Sequence, residues 1–488
     1  MREKFKQLGR ESLIYGVSGM VQKFIAVLLV PLYWNVFLTS EMGHLTLVVT
    51  VITLLSSFAV LGMDSAAHTW FWQNDDEEDR KTTMATWFWC QMAVSLLLGG
   101  ALALLAQEIS LLVTGDQSAA PLLRLSAATL PLTVAGTVLM NYLRLRRRAL
   151  ATLWFAAGSA LLLVALNLLF ILVFRWGMPG FFLAQIATGA CSTAASLWLL
   201  RHTIHPRSAR MPRLHEMLRF ALPLVPAALA LWVMGLSDRL FLKKFLDLSE
   251  VGLYQAGVSL ATAVAMVTGA FTSAWGPFAL SMQRQPDAPA LYARALLLYL
   301  SLGGAMVTVV ALFTPEALTL LAKPAYMGAA PVVGILTLGV LAHGLATIAS
   351  TGLSLAKKSA PVTVAVFIAA AVSVALNLAL IPWLGKTGSA WASGISWMIY
   401  AAYIFLRAQR IHPLPYDLRR ALAMGALLVG AVLLAPLLHV GPWQMDVVLK
   451  TGACILIVWL LLTIALPGWP GMLRRALRPA AQNPHIIL

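Results

Sequence analysis

Fourteen apolar runs follow one another along the 488 residues, each near the ~20 residues that a helix needs to cross the hydrocarbon core of a bilayer. They are expected over 13–36, 44–67, 83–106, 122–143, 150–174, 180–200, 217–238, 251–275, 292–313, 328–354, 361–383, 388–407, 419–439 and 447–466. Inside lipid every backbone N–H and C=O has to be satisfied within the protein, so runs of this length form helices. Charge supports the same reading, because only 11% of residues are charged where soluble domains carry roughly 25%. With 60% apolar residues and a mean hydropathy of +0.82, the chain reads as an all-α polytopic membrane protein.

The net charge of +16 would fit nucleic acid, but the basic residues stand in short clusters between apolar runs and form no polar face. No nucleic-acid partner is expected. Most Lys and Arg fall in alternate connections, such as Arg144-Leu145-Arg146-Arg147-Arg148, Arg201 to Arg219, and Arg474 to Arg478. The bias of basic loops toward the cytoplasm places these segments and both termini there. Arg2, Lys4, Lys6 and Arg10 precede an apolar run without a small-residue cleavage site, so the first helix is expected to stay as a signal anchor. Cys90, Cys191 and Cys454 all lie in apolar runs and show no metal-binding spacing, so neither a metal nor a cofactor is expected.

Three motifs recur at one spacing. Phe37-Leu38-Thr39-Ser40-Glu41-Met42-Gly43 is echoed by Phe245-Leu246 … Ser249-Glu250-Val251-Gly252, Val164-Ala165-Leu166-Asn167-Leu168 by Val374-Ala375-Leu376-Asn377-Leu378, and Gly177 to Gly180 by Gly385 to Gly388. The offsets from Ser40 to Ser249, Val164 to Val374 and Gly177 to Gly385 agree within two positions, so the chain is read as two six-helix repeats. An even number of spans lies between equivalent points, which makes the repeats parallel. The expected organisation is an N-terminal lobe over 1–200, a cytoplasmic linker over 201–216, a C-terminal lobe over 217–407, and two extra helices with a tail over 408–488.

Ionisable residues inside spans cost about 2.5 to 3.5 kcal/mol at the bilayer centre and are functional candidates for that reason. Lys23 lies about ten residues into the first span, deeper than a lysine snorkels, unless the true span starts at Phe24. Arg124 opens the fourth span near the outer face, as a ligand contact or an interfacial anchor. Asp64 follows Gly62 near the inner end of the second span and reads as a coupling group or as a cap. His343 is expected to be a hydrogen-bonded packing residue, and Asn167 and Asn377 to make a shared interhelical hydrogen bond. Asp238 and Arg239 are sequence neighbours, which do not face each other on a helix, so different partners are expected for them. Pro223, Pro226 and Pro277 remove helical hydrogen bonds and are expected to kink their helices as hinges. Gly385-Lys386-Thr387 looks like the end of a phosphate-binding loop, but Leu380 stands where that motif needs glycine, which excludes ATP hydrolysis.

Pro223, Asp238-Arg239, Gly252-Leu253-Tyr254 and Pro277, followed by Asn377-Leu378 … Ile381-Pro382 … Gly385 … Gly388-Ser389-Ala390, resemble the polysaccharide-transport (oligosaccharide flippase) branch of the multidrug/oligosaccharidyl-lipid/polysaccharide exporter superfamily. The resemblance covers the first twelve spans. It implies a V-shaped two-lobe fold and a flippase that carries undecaprenyl-pyrophosphate-linked oligosaccharide across a bacterial cytoplasmic membrane by alternating access. A polysaccharide polymerase and a chain-length regulator would be partners beside the lipid bilayer. Lys23, Arg124 and Arg239 become substrate-binding candidates, and Asp64, Asp238, Pro223, Pro226 and Pro277 coupling or gating candidates. The alternatives are a cation-coupled multidrug exporter of the same fold, which would use acidic cavity residues, and a membrane glycosyltransferase or polymerase, which would need a large outer loop that this chain lacks.

Overall fold

The computed structural model describes residues 25, 27–73, 75–438 and 443–466. Its elements are helices α1 (Val30–Val36), α2 (Thr39–Phe71), α3 (Glu77–Leu104), α4 (Ala120–Leu145), α5 (Ala149–Val173), α6 (Gly177–Leu200), α7 (Met211–Leu236), α8 (Leu248–Met282), α9 (Ala288–Leu321), α10 (Pro324–Leu355), α11 (Ala360–Ile411), α12 (Leu418–Leu438) and α13 (Trp443–Ala465). Twelve of them, α2 to α13, are long and apolar enough to cross a bilayer. The chain is thus a multi-pass helical membrane protein, and the structure gives twelve such helices among the described residues where fourteen spans were expected. The difference has two sources. The first expected span, 13–36, lies mostly outside the described residues, and the eleventh and twelfth run together as the 52-residue α11, in which Gly385 alone leaves helical geometry (φ 59, ψ −140). At ~1.5 Å per residue, such a helix would measure ~78 Å if straight, far more than one crossing.

The repeat spacing reappears in the backbone. Arg147 and Lys357 both take left-handed φ angles (55° and 54°), and in each case the next N–H closes onto the carbonyl five residues back, Arg148 on Leu143 and Lys358 on Leu353. Gly177 and Gly385 share φ near +60°, where a side chain would be strained. Helices α2 and α8 begin at Thr39 and Leu248, which are separated by the same offset as Ser40 and Ser249.

One end of the bundle carries the Arg144–Arg148 cluster and is called the basic end; the other is the far end. At the basic end, Arg146 pairs with Glu77 (2.5 Å), and Arg213 pairs with Asp79. The helices before residue 201 are called the first lobe and α7 to α11 the second; the segment 201–216, expected as a linker, packs against the first, where Arg210 N–H donates to Thr86 Oγ1 (3.1 Å) and Trp89 Nε1–H donates to Ile204 O (2.9 Å), and Ala221 of α7 lies against Gly62. In the second lobe α10 is the central helix, in contact with α8, α9 and α11. Tyr299 and Trp275 fix it by donating to Leu341 O (2.9 Å) and Thr351 Oγ1 (2.9 Å). Helices α12 and α13 lean on α9, where Gly304 makes room for Leu428 and Leu461. Lys450 of α13 is 1% exposed and pairs with Glu316 of α9.

The proline expectations divide. At Pro223 and Pro226 the helix is interrupted, with a 3-10 turn over Leu222–Leu224 between Met211–Ala221 and Val225–Leu236. At Pro277, α8 runs on to Met282. A lone proline costs its helix one hydrogen bond, whereas Pro223 and Pro226 stand within a single turn of each other.

Candidate substrate-binding site

The two lobes meet at the far end through their equivalent helix starts. Thr39 Oγ1 and Ser249 Oγ share a hydrogen bond of 2.5 Å, and the helices approach so closely that a Cβ on Gly43 would lie 2.0 Å from Leu248 O. A Cβ on Gly252 would lie 1.9 Å from Thr39 O. Only glycine permits this contact, and it occurs at both repeat-equivalent positions. Beside it α1 is tied to the second lobe. Asn35 Nδ2 donates to Leu321 O (2.8 Å), Tyr326 OH donates to Phe37 O (3.2 Å), and Trp34 packs on Tyr326. The far end is therefore closed.

Beneath this closure lies a chamber of about 440 Å³ between the lobes. Its walls come from α1 (Tyr33, Trp34), α2 (Thr46, Thr50), α6 (Phe181) and α8 (Gln255, Ser259, Thr262), with Arg239 from the short helix Asp238–Phe245 that continues α7. Tyr33 is held in place by donating to Asn167 Oδ1 of α5 (3.0 Å).

Arg239 supplies the chamber's charge. It is 4% exposed and Asp238 is 3% exposed, and contrary to expectation these neighbours pair with each other, Arg239 Nη1 to Asp238 Oδ1 at 2.5 Å. The reason lies in the chain's path. The arginine folds back to donate from Nη1 to Gly235 O as well (2.6 Å), across the junction at Ser237, and its length removes the restriction that applies to short neighbouring side chains. Asp238 also accepts from Tyr254 OH (2.6 Å), and Arg239 Nη2 reaches Gln255 Oε1 at 3.3 Å. A guanidinium has five N–H donors, and Arg239 Nε has no partner among the described residues. Trp34 Nε1, also in the chamber wall, is buried without one too. The wall thus holds a fixed guanidinium whose Nε–H is buried and unpaired, a positive charge of the kind that suits an oxyanion.

The other expected residues fall elsewhere. Lys23 lies outside the described residues. Arg124 is exposed near the far end of α4 and lines none of the cavities described here. Asp64 makes no cap; its carboxylate accepts from Trp87 Nε1 (3.2 Å) and Gln91 Nε2 (2.9 Å), fastening α2 to α3. His343 stacks edge-on against Trp397 (4.5 Å). Asn167 makes an interhelical hydrogen bond, accepting from Tyr33 OH of α1, whereas Asn377 accepts from Ser389 Oγ (2.9 Å) within α11, across the break at Gly385. Gln255 and Tyr254 were not singled out as site residues. Gln255 was visible as a lone amide in the apolar run of α8, while the role of Tyr254 needed the fold. Lys386, noted only in the rejected phosphate-loop motif, pairs with Glu250 (2.6 Å) beside the far-end closure.

A second cavity, an apolar groove of about 620 Å³, runs between α9, α10, the second arm of α11 and α12, with Leu338, Phe405 and Leu422 in its lining. Among the described residues there is no cluster of three or more His, Cys, Asp or Glu that could hold a metal ion.

The family assignment follows from residues 8–283, which match the polysaccharide biosynthesis protein family. The chain belongs to that family. No curated protein matches it in sequence. In structure this family member is similar to a lipid II flippase MurJ in an inward closed conformation, with a TM-score of 0.74 over 95% of this chain and all of the other, at 12% identity. It is also similar to multidrug resistance MATE family transporters in inward-facing (TM-score 0.62, 16% identity, 80% of this chain and 94% of the other) and outward-facing conformations (TM-score 0.60, 16% identity, 82% and 95%). At these identities the likeness is one of fold. The same fold thus carries a flippase and drug exporters, and the choice between them rests on this chain's own site.

Proposed function

We propose that this protein is a flippase that moves undecaprenyl-pyrophosphate-linked oligosaccharide across a bacterial cytoplasmic membrane by alternating access, for surface polysaccharide (O-antigen, capsule or exopolysaccharide) synthesis. The observation that carries the reading is Arg239, a guanidinium in the wall of a chamber between the lobes. A pyrophosphate entering a low-dielectric path needs its charge matched, and charge-assisted hydrogen bonds from a planar fork do so at short range. Lys23, on the segment leading into α1, is the second cation of this reading. The apolar groove against α12 is suited to a prenyl chain, and so is the surrounding lipid.

In this reading the basic end is cytoplasmic. The chain crosses fourteen times, with α1 the end of the first crossing and α11 two crossings joined at Gly385. The far-end closure between α2 and α8 is the external gate, the turn at Pro223 and Pro226 is a hinge in α7, and Asp238 couples the gate to the cation beside it. A drug exporter using an acidic cavity residue fits less well, because Asp238 is committed to Arg239 and Tyr254.

Complementation of a flippase-null strain, with a membrane blot beside it, tests the proposal. Lys23→Ala abolishes export with expression retained, and Lys23→Arg keeps part of it. Arg239→Ala would leave the Asp238 charge buried alone, at a cost of about 3–5 kcal/mol, so the informative changes are Arg239→Lys and the paired Asp238→Asn, Arg239→Gln. Both are expressed and export poorly. Full export by Lys23→Ala and by the pair, at normal expression, would remove both cations from the substrate path.

A further inference from the structure

A third cavity, about 430 Å³, lies inside the first lobe between α4, α5 and α6, and it differs in chemistry from both others. Asn141 and Arg144 project into it from one face of α4, and Gln185, Thr188 and Ser192 from one face of α6. Gln185 stands about fifteen residues, or ~22 Å, from the basic end of α6, so the cavity carries polar groups deep into the membrane-spanning part of the lobe. Amides and hydroxyls at such depth are costly unless they are bonded. Yet among the described residues no hydrogen bond joins the side chain of Asn141, which is 9% exposed, or that of Gln185 to any protein group, and Thr188 Oγ1 is buried without a partner. Thr133, Thr137 and Ser159, in contrast, satisfy themselves on their own helices.

Position links this cavity to the chamber. Phe181, which lines the chamber, and Gln185, Thr188 and Ser192, which line the cavity, follow one another on α6 at helical spacings of three or four, which is a single helix face. The chamber and the cavity therefore border the same face of α6, the cavity nearer the basic end. Beside Leu132, Met140 and Leu163 it offers more neutral donors and acceptors than the groove beside α12 does, with one guanidinium, Arg144, exposed at the basic-end mouth and the ring of Phe155 on one side. An anion would call for converging cations, and a drug or lipid chain for apolar walls such as those of the groove beside α12. Amides, hydroxyls and an aromatic face suit the ring hydroxyls of a sugar.

We infer that this cavity is a carbohydrate subsite that receives a sugar residue of the transported glycan while the chamber holds its diphosphate. The inference rests on the flippase reading and names the part of the substrate that the first lobe recognises. Gln185 and Asn141 donate to and accept from ring hydroxyls, Thr188 supplies a third contact, and Arg144 meets the glycan at the mouth.

The test measures binding of two probes to the purified full-length protein: undecaprenyl pyrophosphate without sugar, and the lipid-linked oligosaccharide extracted from cells that lack this transporter. Asn141→Ala with Gln185→Ala weakens binding of the sugar-bearing lipid about tenfold and leaves the sugar-free lipid unchanged. Thr188→Val keeps the side-chain shape, guards against a folding defect, and gives a smaller loss of the same selectivity. The pair Asp238→Asn, Arg239→Gln weakens both probes. If the cavity variants bind the sugar-bearing lipid as the parent does, or lose both probes equally, the sugar subsite is overturned while the flippase reading stands. If the parent binds neither probe, the flippase reading itself fails and the inference with it.

Discussion

Replacing Gly252 by alanine puts a methyl carbon 1.9 Å from Thr39 O, where ordinary contact begins near 3.4 Å, so α2 and α8 have to part at the far end by the difference. The opposing atom is backbone and has no alternative rotamer. Overpacking of this kind costs about 1–3 kcal/mol, and here the cost falls on the state in which the lobes touch, because separating them at the far end relieves it. The closed-to-open ratio should then fall by a factor of roughly 5 to 150. A cysteine pair at Thr39 and Ser249, whose hydroxyls are 2.5 Å apart, reads this population directly once Cys90, Cys191 and Cys454 are replaced. The parent pair should oxidise rapidly, and Gly252→Ala should slow it by up to that factor, in proportion to the closed fraction, and reduce export. Gly43→Ala should act alike through Leu248 O, and the double change should cost less than the sum because one separation relieves both clashes. Gly100→Ala, where an added Cβ meets nothing within 4 Å, serves as the control. Unchanged oxidation in Gly252→Ala, with normal export, would show that this contact is not the gate.

Lys450→Met should lower the thermal stability of the detergent-solubilised protein by leaving the Glu316 charge unpaired, about 3–5 kcal/mol, and adding Glu316→Gln should restore most of it; melting curves of the three variants decide. Tyr33→Phe removes the hydrogen bond from α1 to Asn167 and should cost about 1 kcal/mol of stability with little change in expression, which denaturation of the variant beside the parent will measure. Reporter fusions after Arg148 and after Gly177 should report opposite compartments, and agreement between them would overturn the orientation read from the basic clusters.

The sequence by itself determined what has to be true of any fold this chain adopts. Apolar runs in lipid have no alternative to helix, so the class followed from run length and scarce charge. The common offset between the two halves was legible because equivalent turns need the same backbone geometry, and Gly177 and Gly385 show it in their shared φ. Buried contacts across the two lobes were not legible. Nothing in the sequence said that Arg239 would turn back onto Asp238, since that depends on the path of the chain at Ser237. Nor could spacing reveal that Gly43 and Gly252 each face the other lobe's backbone, or that Asn141 and Gln185, on different helices, open onto one cavity. Those are facts of packing between distant segments. Local pattern encodes which face of a helix is apolar, but in a membrane protein most faces are apolar, so only the tertiary structure decides which polar residues meet.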